Sequence, residues 1–138
     1  MAKKGVEIEV AVAEVVDYLR MTGRFSRALR EVVARKVAVA AARKMKLRVT
    51  TAQLQKASDT FRMMHNLNKA SDTNLWLKAN GLTVEALEDY LEANLLINKL
   101  KDTLEKKTAK KNYLTSPIIK ESVREMIYKD WLEKELKK

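Results

Sequence analysis

The chain has 138 residues, the length of one ordinary domain, with 28 Lys and Arg against 18 Asp and Glu, a net charge of +10. It has no cysteine and one histidine, which excludes disulfides, cysteine nucleophiles and multi-histidine metal sites. Three glycines and one proline disfavour β architectures, and 46% apolar with 33% charged residues fits neither disorder nor a membrane span, so we predict an all-α protein.

The charge is unevenly distributed along the chain. Residues 21–48 carry nine basic side chains and one acidic one, a local charge of +8, whereas residues 83–105 carry two basic and six acidic ones, a local charge of −4. Residues 106–111 add four lysines. Concentrated positive charge indicates an anionic partner such as nucleic acid, which is one functional hypothesis.

The first predicted helix starts at Val12. Residues 6–10 alternate between apolar and charged side chains, which would suit a short strand, but helical spacing follows at once from Val12 to Leu19. Gly23 is a natural end for this helix, because glycine readily adopts the left-handed conformation that follows a C-cap.

The second and third helices have recognisable polar N-caps. The second is predicted to begin near Ser26 and to run to about Lys46, with an alanine-rich stretch at 38–42 that lets another helix pack closely. Thr50 and Gln53 form a capping box, in which each side chain can bond to the backbone N–H of the other. The third helix therefore begins here, and we expect it to end around residues 66–68.

Two more helices follow in the middle of the chain. Ser71 is predicted to cap a short helix that ends at Asn80 and Gly81. Thr83 then caps the longest helix, with acidic side chains near its start and lysines later, an order that complements the helix dipole. This helix has two adjoining apolar stripes, so we predict that it is central to the fold.

The last helix begins after a polar connection. Residues 106–115 are basic and polar, and Ser116 followed by Pro117 is a strong helix start. We therefore predict a single orthogonal helical domain of about six helices over residues 1–138.

The basic N-terminus is not followed by an apolar signal region, so we expect a cytoplasmic location if the chain is complete.

The residues provide no recognisable catalytic set. The acidic side chains of Glu85, Glu88, Asp89 and Glu92 are better explained as a solvated face that compensates the helix dipole than as a metal or acid–base site. His65 is placed at a helix end as a surface or boundary residue, and no glycine-rich phosphate loop is present. We expect no enzymatic activity, no cofactor and no metal.

The basic side chains support a polyanion partner only weakly. Those in the second helix scatter around most of the helical wheel, and no nucleic-acid-binding motif accompanies them. Solvated basic side chains that cover apolar surface are the simpler interpretation. The residues that would contact a polyanion are Arg24, Arg27, Arg35, Arg43, Lys106, Lys107, Lys110 and Lys111.

Methionine and aromatic side chains exceed what one small core needs. Phe61, Trp76 and Trp131 fit the core-facing registers of their helices, whereas one helical face cannot bury all of Met63, Met64 and Leu67. Together such side chains form an adaptable surface that accepts varied apolar peptides. The candidate peptide-binding residues are Met21, Phe25, Phe61, Met63, Met64, Leu67, Trp76, Tyr128 and Trp131.

These motifs resemble a known family. Three segments resemble the N-terminal chaperone domain of SurA-type, parvulin-related peptidyl-prolyl isomerases. Two of them are capped helix starts, Lys46–Leu54 and Asn80–Leu100, and the third is the final segment Glu121–Leu136. The resemblance covers most of the chain and implies a fold of the SurA N-terminal or trigger-factor peptide-binding kind. It implies a protein that binds unfolded or leader peptides.

The chain departs from that family in two respects. The isomerase domain would lie between the long helix and the last helix, where only residues 106–115 are found, so the resemblance implies peptide binding without isomerisation. The signal sequence of the periplasmic members is also missing. The alternative remains a helical protein that binds nucleic acid or another polyanion.

The last helix also predicts an assembly. Its apolar side chains need a partner surface, and an identical surface exists on a second copy of the chain. The lysine-rich connection favours an extended tether, so we predict a monomer–dimer equilibrium in which two chains exchange their C-terminal helices.

Overall fold

The protein is all-helical, as predicted. The computed structural model describes residues 8–108 and 117–138, and for residues 108 and 117–120 it describes the backbone alone. Within these ranges there is no strand, including at residues 8–10, where a short strand was considered. The six helices are α1 (Val12–Met21), α2 (Arg24–Lys44), α3 (Thr51–Met64), α4 (Ala70–Ala79), α5 (Val84–Thr108) and α6 (Pro117–Leu136).

The chain divides into two compact parts at residues 34 and 35, within α2. In the first part, α1 ends where predicted, with Gly23 in the left-handed region at φ 75°, and none of its residues is buried. Two cation–π contacts join its helices. The Arg20 guanidinium lies 4.7 Å from the centre of the Phe25 ring, and that of Arg24 lies 5.6 Å from the centre of the Tyr18 ring.

The serine N-caps predicted at residues 26 and 71 are wrong. The second helix begins at Arg24, and the Ser26 hydroxyl, inside its first turn, donates to the Gly23 carbonyl at 3.4 Å. The fourth helix begins at Ala70, with Lys69 as the N-cap. The Asp72 carboxylate, at the third helical position, accepts a hydrogen bond from the Lys69 N–H at 3.2 Å, which is one half of a capping box.

Threonine caps open the third and fifth helices as predicted. The Thr50 hydroxyl accepts from the Gln53 N–H at 3.1 Å, while the Gln53 side-chain oxygen accepts from the Thr50 N–H at 3.0 Å. The Thr83 hydroxyl accepts from the Ala86 N–H at 3.0 Å. These bonds satisfy backbone donors that have no partner within the helix, so each helix start is set locally.

Three helices end in the same kind of turn. In each, a residue in the left-handed region is followed by a leucine whose N–H bonds to the carbonyl five residues earlier, at 2.8 to 3.0 Å, which is the Schellman pattern. The left-handed residues are Lys46 at φ 63°, Asn66 at φ 57° and Gly81 at φ 65°. The leucines that follow are Leu47, Leu67 and Leu82. Each turn therefore reverses the chain within a few residues.

Helix α5 is the central element of residues 35–138, which confirms the prediction from its two stripes. Leu87 and Leu91, in its first half, pack with Leu77 of α4 and with half-buried side chains of α3. In its second half, four buried residues from Leu96 to Leu104 pack with Ala38 and Ala42 of α2 and with the apolar face of α6. Ala38 and Ala42 of the alanine-rich stretch are fully buried in this cluster, while the close approach of another helix at this stretch stays a prediction.

Polar contacts reinforce the same arrangement on the α6 side. Lys101 forms an ion pair with Glu125 at 3.0 Å, and Arg124 forms one with Asp102 at 2.8 Å. The Arg124 guanidinium also donates to the Asn98 carbonyl at 2.9 Å. These contacts fix the position of α6 along α5, although each exposed pair adds little stability.

The long helix extends further than predicted. Lys106 and Lys107 belong to α5, which continues to Thr108 because nothing in this stretch breaks a helix. The rest of the predicted connection, including Lys110, Lys111 and Ser116, lies outside the described residues. No helix among residues 8–108 and 117–138 is both long and apolar enough to cross a membrane.

We predict that Lys46→Gly raises the free energy of unfolding by about 1 kcal/mol. The left-handed conformation costs a residue with a side chain roughly 1–2 kcal/mol and costs glycine little, although the greater freedom of glycine in the unfolded chain offsets part of the gain. Urea unfolding followed by circular dichroism measures the change. Lys44→Gly is the matched control in the last turn of α2, and it should lower stability by up to about 1 kcal/mol. An unchanged or lower stability of Lys46→Gly would contradict the prediction.

Candidate functional site

An apolar groove runs between α3 and α5 and reaches α4. It consists of two adjoining depressions of about 460 and 470 Å³. Phe61, His65 and Tyr90 line both of them, so the two form one continuous surface, which we call the aromatic groove. The remaining lining residues are Gln53, Lys56, Ala57, Thr60, Met64, Leu91, Asn94 and Leu95 of the first depression, and Trp76, Leu82, Ala86 and Leu87 of the second.

Helical spacing brings these side chains to the groove. Phe61 and His65 are four residues apart at the C-terminal end of α3, and Tyr90 and Asn94 are four residues apart on α5, so each pair lies on one face of its helix. Trp76 comes from the last turn of α4. His65 is the C-cap residue of α3, directly before the left-handed Asn66.

Three rings pack against one another at the centre of the groove. The Phe61 and His65 rings stack, with centres 4.2 Å apart and planes 26° apart. The Trp76 ring meets Phe61 edge-on at 5.5 Å and 71°, and lies 5.5 Å from His65. Such offset and edge-on arrangements are the favourable geometries for aromatic pairs. Phe61 and Trp76 also pack against the core, so the surface rests on a fixed base.

Much of the apolar surface beside these rings is open to solvent. Met64 is 76% exposed and Tyr90 is 50% exposed. Methionine is flexible and polarisable, whereas a supported aromatic ring is rigid. The groove therefore combines a rigid aromatic base with an adaptable edge, which suits the binding of apolar groups of varied shape.

An arginine supports the α5 side of the groove. The Arg35 guanidinium donates to the Asn94 side-chain oxygen at 2.7 Å and to the Tyr90 carbonyl at 3.3 Å. It also lies 5.0 Å from the centre of the Tyr90 ring, within cation–π distance. Both residues that it contacts line the groove, so Arg35 positions this wall.

A carboxylate on α3 is neutralised locally. Hydrogen bonds from the Arg62 guanidinium and from the Gln55 amide hold the pKa of Asp59 below its usual value. Asp59 does not line the groove, and neither does any other carboxylate of the described residues. The groove is therefore apolar with a polar, cationic edge.

The structure divides the nine candidate peptide-binding residues among several places. Phe61, Met64 and Trp76 come together in the aromatic groove. Met63 is 72% exposed but does not line it, and Leu67 is buried in the turn after α3. The others lie elsewhere: Tyr128 and Trp131 pack on the second-half cluster of α5, and Met21 and Phe25 belong to residues 8–34.

Sequence reasoning missed several residues of the groove. The sequence predicts His65 only as a surface or boundary residue and gives Tyr90 no binding role, yet both line the two depressions. The four-residue spacing from Phe61 to His65, and from Tyr90 to Asn94, was the available signal. It did not show that the two helical faces lie side by side, because that depends on how α3 packs on α5.

The candidate polyanion-binding residues are also dispersed. Arg43 forms an ion pair with Glu92 of α5 at 3.1 Å, and Arg35 binds Asn94 and Tyr90 as described. Arg24 lies over Tyr18, Arg27 is exposed, and Lys106 and Lys107 are exposed in the last turns of α5. Lys110 and Lys111 lie outside the described residues.

Most acidic residues at the start of α5 lie on its exposed surface. Glu85, Glu88 and Asp89 are exposed near the start of the helix, as expected of a solvated face. In the part of the chain that the structure describes, no three His, Asp or Glu side chains converge as metal ligands.

Comparisons of the chain with protein-family models, with curated proteins and with solved structures give no match.

We predict that Tyr128 makes the protein less stable at alkaline pH. Burial, with a smaller effect from Glu125, raises the pKa of Tyr128 above its ordinary value of 10.0. Its contribution to stability is therefore complete below pH 10 and is lost as the pH rises through the higher pKa of the folded state. Urea unfolding at pH 8 and pH 11 should show a smaller alkaline loss for Tyr128→Phe than for the unmodified chain. Equal losses would contradict the prediction.

Proposed function

We propose that this chain binds unfolded or precursor polypeptides through apolar segments that lie in the aromatic groove, and that it catalyses no reaction on them. The observation that carries the proposal is the continuity of the groove, in which Phe61, His65 and Tyr90 join two open apolar depressions. Exposed apolar surface of this extent is typical of a binding site.

The dimensions of the groove suit a short peptide segment. Its lining on α3 extends from Gln53 to His65, which corresponds to about 18 Å along a helix axis. An extended chain advances roughly 3.3 Å per residue, so five or six residues of a client would fill this length. Burial of their apolar side chains against the rings supplies the favourable free energy.

The family resemblance supports the same proposal. A SurA-type chaperone domain holds peptides, and its isomerase domain lies between the two helices that correspond to α5 and α6. Between Thr108 and Pro117 this chain has only residues 109–116. We therefore propose peptide binding without isomerisation.

The placement of the basic side chains favours a peptide over a polyanion as the partner. Arg35 and Arg43 make contacts with α5 that a phosphate would have to compete for. A mobility-shift titration at two salt concentrations tests the alternative. Tight binding of DNA or RNA that falls steeply with salt would reverse the preference.

We predict that Met64→Gln weakens peptide binding about three- to tenfold. Glutamine keeps the length and helix propensity of methionine but removes an apolar contact from the groove, and 1.4 kcal/mol corresponds to tenfold in affinity. Met63→Gln is the matched control, because Met63 is equally exposed on the same turn but lies outside the groove. Fluorescence anisotropy of a labelled apolar peptide measures the affinities.

Two results would contradict the peptide-binding proposal. One is the absence of binding to any member of an apolar peptide array, together with no protection of an aggregating client by stoichiometric protein. The other is an equal loss of affinity in Met64→Gln and Met63→Gln, which would place the binding surface elsewhere.

We also propose that the chain forms a homodimer by exchange of α6. In the structure, Ile127, Tyr128 and Trp131 of α6 pack on the buried leucines of α5 in the same chain, and a second copy offers the same surface. We predict a monomer–dimer equilibrium, measured as a rise in molar mass with concentration by light scattering. A strict monomer up to millimolar concentration would contradict it.

A further inference from the structure

The two ends of the aromatic groove differ in polarity. One end, which we call the apolar end, is lined by Trp76, Leu82, Ala86 and Leu87. The other depression also has apolar lining residues, but it alone carries, besides the shared rings, polar side chains, and we call this part the polar end: Gln53, Lys56, Thr60 and Asn94. The shared rings lie between them, so a bound segment would have an apolar part and a polar part.

The positive charge at the polar end is not compensated. Lys56 is exposed and lines the groove. Arg35 does not line it, but its guanidinium donates to two neutral oxygens of lining residues, the Asn94 side chain and the Tyr90 carbonyl. Neither side chain forms an ion pair within residues 8–108 and 117–138.

No carboxylate among the described residues lines either depression of the groove. Asp59, three residues from Lys56 on α3, forms an ion pair with Arg62, and Glu92 of α5 forms one with Arg43. The lining itself therefore offers no negative charge to Lys56. A ligand that brings its own carboxylate supplies the missing charge.

We infer that the aromatic groove selects polypeptide segments in which an apolar stretch is flanked by acidic side chains, with a carboxylate at the polar end beside Lys56. This inference rests on the proposed peptide binding and names the chemistry of the client. The apolar part of the segment provides affinity at the rings, and the carboxylate provides preference and orientation.

The experiment must separate this local effect from the general attraction of a chain with a net charge of +10. Three labelled peptides share one apolar core and are flanked on both sides by Glu, by Gln or by Lys. Their affinities are measured by anisotropy for the unmodified chain, for Lys56→Gln and for Lys129→Gln. Lys129 is exposed on α6, outside the groove, so both variants lose one positive charge but only the first alters the polar end.

We expect the Glu-flanked peptide to bind about two- to fivefold more tightly than the Gln-flanked one, and the Lys-flanked peptide to bind most weakly, since an exposed charge pair contributes an effect of this size. Lys56→Gln should reduce the preference for Glu over Gln at least by half, whereas Lys129→Gln should preserve it. High salt should also reduce the preference.

The outcomes separate the two proposals. Equal affinity for the three peptides overturns the charge preference and leaves apolar peptide binding intact. An equal reduction in both variants also overturns the inference, because it assigns the preference to net charge. Binding of none of the peptides contradicts the proposed function itself.

Discussion

The arrangement of residues 35–138 depends on the burial of leucine side chains along both halves of α5. Leu87 and Leu91 anchor the first half of this helix, and Leu96, Leu100 and Leu104 anchor the second. Since α3 and α4 pack on the first half and α2 and α6 on the second, a single helix serves both apolar clusters. Packing of this kind, rather than helix propensity, supplies most of the stability of a helical protein.

The aromatic groove is a consequence of that packing. Helix α3 contacts α5 through side chains that include Ala57 and Phe61, and the surface beside this contact is left open. The short connection at residues 65–69, with the left-handed Asn66 near its start, joins α3 directly to α4, and Trp76 of α4 contacts Phe61 of α3. The rings are thus half in the core and half in the groove, which allows an exposed apolar surface on a rigid base.

Charge on α2 and α5 has a structural use that its sum does not reveal. The segment with a local charge of +8 meets the segment with a local charge of −4 through Arg43 and Glu92, and Arg35 stabilises the wall of the groove through Asn94 and Tyr90. Part of the basic excess therefore contacts α5 directly, although the exposed Arg43–Glu92 pair adds little stability. Lys56 lines the groove and Arg35 contacts two of its lining residues, and neither forms an ion pair among the described residues. Where these two side chains lie, and not the total charge, makes the edge of the groove cationic.

Much of the helical layout could be predicted from the sequence because its determinants are local. Glycine at residues 23 and 81, the capping box at Thr50 and Gln53, and the Thr83 cap act within a few residues of their own positions. The predictions at Ser26 and Ser71 failed on the same local scale. Each helix begins one or two residues before the predicted cap, where the Ser26 hydroxyl donates to Gly23 and the Asp72 carboxylate accepts from Lys69.

The candidate site was decided by tertiary structure. The sequence determined that Phe61 and His65 share a helical face, and that Tyr90 and Asn94 share another. It did not determine that these faces meet, since the register between α3 and α5 comes from the packing of side chains more than twenty residues apart in the chain. The separation of Tyr128 and Trp131 from the groove has the same cause, because the second half of α5 is a different surface for burial.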